Sequence, residues 1–254
     1  TSDTVASVSL DDADRDPQAF AQELGQSFVD YGFAIVRDHG IPQDLIDRAE
    51  ALARQFFALP EATKRAYLIA GGGGARGYTA FGVETAKGAA ASDLKEFWHV
   101  GRELAAGHPF REVMADNAWP AEIPDFKTTF LELYDAFDAA GLNMLRAIAR
   151  FLAVDEGYFT DTVRDGNSVM RLLHYPPIYT PTGNQIRAGA HEDINTITLL
   201  LGAEEAGLEL QTSDGRQRAA PLDQPPRGQS GPRPSVEGAL LDALLPSLPS
   251  RLHD

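Results

Sequence analysis

The 254-residue chain contains no cysteine. Disulfides, thiolate-held zinc, iron–sulfur clusters and a cysteine nucleophile are therefore excluded. No apolar run approaches the roughly 20 residues of a membrane span. Basic residues are scarce: 22 Lys and Arg stand against 37 Asp and Glu, for a formal net charge of −15. Nucleic acid and anionic membranes are repelled by such a surface and are not expected partners. The stretch from Thr1 to Asp16 is acidic and polar, unlike a signal or transit peptide. The expectation is a soluble, cytoplasmic, acidic protein with enough chain for one large domain or two small ones around a real core.

Helical punctuation dominates the first half. Asp16-Pro17 reads as an N-cap followed by proline at the first helical position, and Phe20, Leu24 and Phe28 recur at helical spacing up to Gly32. Phe33 to Val36 reads as a short strand and Asp38-His39-Gly40 as a turn. Pro42 opens a second helix with Leu45, Ala49, Leu52 and Phe56 on one stripe, and Pro60-Glu61 starts a brief third to about Ile69. Gly71 to Gly74 and Gly77 interrupt regular structure. They lack the Lys-Ser/Thr of a phosphate loop and read as a flexible connector. After Pro124, Phe126, Phe130, Leu133, Phe137, Ala140, Met144, Ile148 and Phe151 step by three or four residues. That stripe predicts a long helix packed along one side of a core.

The texture then changes to short apolar or alternating runs: Ser168 to Tyr175, Gln185 to Ala190, Asn195 to Leu201 and Leu208 to Thr212. Turn residues separate them, and helices followed by closely spaced strands argue for an α+β fold. Residues 216–235 hold five Pro and two Gly, and no aromatic follows Tyr179. Residues 216–254 therefore read as an atypical, linker-like or disordered tail.

One tripeptide carries chemistry. In extended chain, residues i and i+2 share a face, so His191 and Asp193 project together while Glu192 points away. An imidazole and a carboxylate side by side are two legs of a 2-His-1-carboxylate set, which grips one face of Fe(II) and leaves the other open. By itself the pair has a bland alternative, a hydrogen-bonded surface pair. Six His among 37 acids in this length give about one such coincidence by chance.

Its surroundings decide the matter. Ser27-Phe28-Val29-Asp30-Tyr31-Gly32-Phe33, Asp38-His39-Gly40-Ile41-Pro42, Arg76-Gly77-Tyr78 with Gly82 and Glu84, and Asp93-Leu94-Lys95-Glu96 occur in order. Met170-Arg171-Leu172-Leu173-His174-Tyr175-Pro176-Pro177, Ala190-His191-Glu192-Asp193 and Gly207-Leu208-Glu209-Leu210 follow. Over roughly Ala19 to Gly215 the sequence resembles the isopenicillin N synthase-like family of 2-oxoglutarate/Fe(II)-dependent oxygenases. The resemblance implies a double-stranded β-helix (jelly roll) core with an N-terminal helical domain (1–120), a long helix and the first part of the jelly roll (121–215), and the tail (216–254). It implies Fe(II) held by His191, Asp193 and a second histidine, with 2-oxoglutarate as co-substrate and Tyr175 as its hydrogen-bonding tyrosine. Pro249-Ser250-Arg251-Leu252-His253 fits the first half of the family's second-histidine pattern, so His253 is the candidate third ligand.

The tail departs from the family: the strand and Gly-Asp turn before that histidine are replaced, and the Arg-x-Ser pair for the co-substrate has no counterpart. A barrel incomplete at its C-terminal side, through truncation or an altered reading frame from about Gln217, is the expectation. The implied activity is oxidation of a small molecule by O2 with release of succinate and CO2, the ethylene-forming type included. An inactive remnant and a cupin-like Zn hydrolase are the alternatives. Elsewhere, His39 reads as a turn residue and His174 as structural; Arg171 reads as a partner for an acidic group. Lys95 and Glu96 read as an exposed pair or a fold-stabilising contact.

Overall fold

The computed structural model describes residues 5, 7–69, 75–85, 92–177, 193 and 195–201, and the backbone of 209–211, 217–219 and 235–240. Ser7–Ser9 (β1), Asp12–Arg15 (α1), Pro17–Tyr31 (α2), Ile35–Arg37 (β2), Gln43–Phe57 (α3) and Glu61–Arg65 (α4) come first. Gly77–Thr79 (β3), Glu96–Gly101 (β4), Phe126–Phe151 (α5) and Thr160–Val163 (α6) follow. Val169–His174 (β5), Thr198–Leu200 (β6), Glu209–Gln211 (β7), Gln217–Ala219 (β8) and Ser235–Leu240 (β9) complete the described elements.

The helices obey their local signals. The Asp16 side chain accepts from the Ala19 amide at 3.0 Å, and Pro17 occupies the first turn of α2. Gly32 closes that helix in the left-handed region at φ 72°, its amide donating to the Phe28 carbonyl. The long stripe forms α5, and Phe126, Phe130, Leu133, Phe137, Ala140 and Met144 are all buried. Helix α2 crosses it closely enough that a Cβ on Gly25 would lie 2.1 Å from the Phe151 ring. Only glycine permits that approach.

Strands β3, β4, β5, β9 and β6 form one sheet in that spatial order. The β3–β4, β4–β5, β5–β9 and β6–β9 pairs are all antiparallel. Strands β1 and β2 pair in parallel, and β7 and β8 form an antiparallel pair. The main core joins α3 (Leu45, Ala49, Phe56) and α5 (Phe126, Phe130, Phe137) to the sheet (Tyr78, Trp98, Met170, Leu172). Edge-on aromatic pairs, such as Phe56–Trp98 at 4.7 Å between ring centroids, fill it.

Three strands departed from the sequence expectation. In β4, Glu-Phe-Trp-His-Val-Gly is buried on both faces, so it lacks the polar alternation of a half-exposed strand. Strands β1 and β3 are three residues each, too short for a periodic signal. The linker-like or disordered tail expected over 216–254 is corrected at two short stretches. Gln217–Ala219 pairs with Glu209–Gln211, and Ser235–Leu240 lies between β5 and β6. Backbone hydrogen bonds carry that pairing, and they need neither aromatics nor a continuous apolar run. The expected strand Gln185 to Ala190 lies outside the described residues.

Candidate functional site

Strands β4 and β5 separate two chemical environments because successive side chains alternate across a sheet. Trp98 opposes Leu172 and Val100 opposes Met170, and all four belong to the helix-packed core. Phe97 opposes Leu173 and His99 opposes Arg171, on the other face.

On the core side, the end of this ribbon carries a buried ionic hub. Glu96 and Lys64 are each less than 10% exposed, with Lys64 Nζ 2.7 Å from Glu96 Oε2. The Tyr78 hydroxyl donates to the same oxygen. His174, paired with Glu96 across the strands, places Nδ1 2.7 Å from Oε1, and its ring stacks on Phe57 at 4.9 Å. Burial alone would push the Glu96 carboxyl up. Hydrogen bonds from His174, Lys64 and Tyr78 outweigh it and hold the group below the usual carboxylate range. Burial, and then the bond to Glu96, push the Tyr78 phenol well up.

The opposite face is charged without being open. Arg171 lies 4.7 Å from the centroid of the Phe97 ring, donates from Nε to His99 Nε2 at 2.7 Å, and pairs with Glu84 at 3.3 Å. Glu84 also meets Lys95 Nζ at 2.7 Å, and Lys95 reaches Asp93 at 3.0 Å. Arg171 therefore does meet an acid, and Lys95 and Glu96 are not an exposed pair. They are buried in two separate clusters, one on each side of the sheet. His39 serves its turn, accepting from the Ile41 amide at 3.1 Å, and His174 is structural as read from the sequence.

The candidate site residues are distributed as follows. Tyr175 directly follows β5 and is half-buried. Asp193 is exposed, and the Thr198 hydroxyl at the start of β6 donates to its Oδ2 at 2.5 Å. Asn195 Nδ2 donates to that hydroxyl in turn, at 2.9 Å. A Thr and an Asn thus orient the carboxylate in the way that outer partners commonly align a metal ligand. His191 and His253 lie outside the described residues. Among the described residues, no three His, Cys, Asp or Glu side chains group to hold a metal. The Asp193 carboxylate is a hard oxygen donor of the kind Fe(II) accepts, so the donor chemistry of this residue would fit such a metal.

Sequence reasoning missed the charged-face cluster of Glu84, Asp93, Lys95 and His99. Its available signal was the charge alternation of Asp93-Leu94-Lys95-Glu96 running directly into the aromatic pair Phe97-Trp98. Charged residues entering an aromatic strand are paired rather than solvated, because the strand is buried.

Residues 5–122 match the family model described as "non-haem dioxygenase in morphine synthesis N-terminal". A putative 2OG-Fe(II) oxygenase family protein from Caulobacter crescentus is 47% identical. Its crystal structure matches 96% of this chain and 88% of its own with a TM-score of 0.83. The chain belongs to the 2OG-Fe(II) oxygenase family. A full-length protein of Neurospora crassa, solved in complex with alpha-KG, is 25% identical, with a TM-score of 0.79 over 94% of this chain and 85% of its own. Among curated relatives, the 2-oxoglutarate-Fe(II) type oxidoreductase hxnY of Emericella nidulans is 33% identical over 198 residues, or 74% of this chain. The proline hydroxylase buaE of Petromyces alliaceus is 31% identical over 80% of this chain. The chain spans 57% and 64% of the lengths of these two proteins. Among the described residues, no helix is long and apolar enough to cross a membrane.

Proposed function

We propose that this chain oxidises a small molecule with O2, coupled to decarboxylation of 2-oxoglutarate. The supporting observation is the 47% identity to a 2OG-Fe(II) oxygenase family protein over nearly the whole of this chain. In a hydroxylation, substrate R–H, O2 and 2-oxoglutarate become R–OH, succinate and CO2, with one oxygen atom entering each of the first two products. Fe(II), when bound, supplies the redox chemistry linking O2 to the keto acid. His191, Asp193 and His253 are the proposed ligands, and the proposed domain layout is an N-terminal domain to about residue 120 followed by a jelly-roll core. Thr198 holds the Asp193 carboxylate in one orientation, and Tyr175 donates a hydrogen bond to the co-substrate.

The test is anaerobic addition of Fe(II) and 2-oxoglutarate, followed by oxygen. A weak visible charge-transfer band and O2-dependent succinate are expected, and His191→Ala should remove both. Gas chromatography for ethylene decides the ethylene-forming variant. A chain that takes up no Fe(II) and releases no succinate overturns the reading.

A further inference from the structure

One buried carboxylate joins four elements. Glu96 on β4 receives Lys64 from α4, Tyr78 from β3 and His174 from β5. His174 is the last residue of β5, and its neighbour across the next peptide bond is Tyr175. The His174 ring is held on two sides, by Glu96 at 2.7 Å and by the Phe57 ring stacked at 4.9 Å. Fixing that side chain fixes the backbone at residue 174. Strand alternation then sends residue 175 to the opposite face, the one carrying Leu173 and Arg171. On the other side, Pro176 confines Tyr175 to extended backbone. The tyrosine backbone is thus clamped from upstream by an ionic hub and from downstream by a proline.

We infer that Glu96 is a positioning residue for the co-substrate, acting through His174 to aim the Tyr175 hydroxyl. The inference rests on the proposed function. Glu96 acts through His174, and its role is geometric, because a low-exposure carboxylate with three donors has one arrangement that satisfies all of them. An apolar contact of equal size would hold the same volume without setting the ring's orientation.

The experiment compares the wild type with Glu96→Gln, His174→Phe, Tyr175→Phe and the Glu96→Gln/Tyr175→Phe double variant. The readouts are 2-oxoglutarate affinity from the anaerobic Fe(II) charge-transfer band, KM for 2-oxoglutarate against kcat, and thermal midpoint. Glu96→Gln and His174→Phe should each weaken 2-oxoglutarate about tenfold, the effect of one lost hydrogen bond to a charged ligand, with kcat within about twofold. His174→Phe keeps the stack on Phe57 and leaves Glu96 with Lys64 and Tyr78, so it decides the question if Glu96→Gln fails to fold. The double variant should be no weaker than Tyr175→Phe alone. Unchanged 2-oxoglutarate affinity beside a lowered thermal midpoint reduces Glu96 to a fold-stabilising contact and overturns the inference, as does a double variant whose losses multiply. If the wild type binds 2-oxoglutarate and these variants bind it equally, only the positioning role falls. If the wild type binds none, the proposed function falls with it.

Discussion

The two faces of the β4–β5 ribbon are made by the same twelve residues and do opposite things. Toward the helices stand Trp98, Val100, Met170 and Leu172, fully buried among phenylalanines. Away from them stand the buried Phe97 and Leu173 beside His99 and Arg171; Arg171 hydrogen-bonds His99 and pairs with Glu84, which with Asp93 holds Lys95. The first face has shape and hydrophobic burial to hold the fold. The second has directional, charged groups, whose net contribution to stability is small once desolvation is counted. Helix packing and the Arg171–Glu84–Lys95 ion pairing are thus separated by a period of two along one pair of strands, with Glu96 and His174 as the ionic exception on the packed side.

The largest effect that would sharpen this separation lies beyond the ribbon, at Asp193. If Asp193 is the proposed metal ligand, Asp193→Ala should lower O2-dependent succinate formation at least about a hundredfold, while shifting the thermal midpoint little because the residue is exposed. Next comes Trp98→Ala, which should cost about 3–5 kcal/mol in urea unfolding, through lost burial and the cavity left behind. Lys64→Met should cost about 3 kcal/mol, because it leaves the buried Glu96 carboxylate without the lysine ammonium that pairs with it. Arg171→Met on the other face should cost about 1 kcal/mol in the same measurement. Equal losses at Trp98 and Arg171 would break the comparison.

A pH series gives a smaller effect. Glu96 has a lowered pKa in the fold, so its stabilisation is present above the ordinary glutamate value of about 4.3 and is lost as pH falls through the folded value. Tyr78 has a raised pKa, so its contribution is present below about pH 10 and is lost as pH rises above it. Urea midpoints should fall at both ends, and Glu96→Gln should flatten the acid limb. At the bottom of the scale, Arg15→Ala removes an exposed pair with Asp12 and should change stability by less than about 0.5 kcal/mol.

The helical part was readable because each signal was local and repeated. Asp16-Pro17 and Gly32 bound one helix, and the α5 stripe persisted over about seven turns. The proposal of His191 and Asp193 as ligands came from a contiguous motif flanked by ordered family blocks. Strand β4 was not, since burial of both faces erased the alternation that reveals a strand. Strand β9 was hidden for a different reason: its partners on β5 and β6 are distant in the chain, and nothing within Ser-Val-Glu-Gly-Ala-Leu announces them.

The order of residues by itself determined the helices and the family, because caps, periodic stripes and contiguous motifs act over a few positions. Tertiary structure alone decided which charges would meet. Glu84 with Arg171, and Glu96 with Lys64, Tyr78 and His174, are joined across separations of 18 residues or more. Their pairing follows from desolvation: once the sheet closes on the helices, a charge that has lost its water must take whatever opposite partner the fold brings within reach.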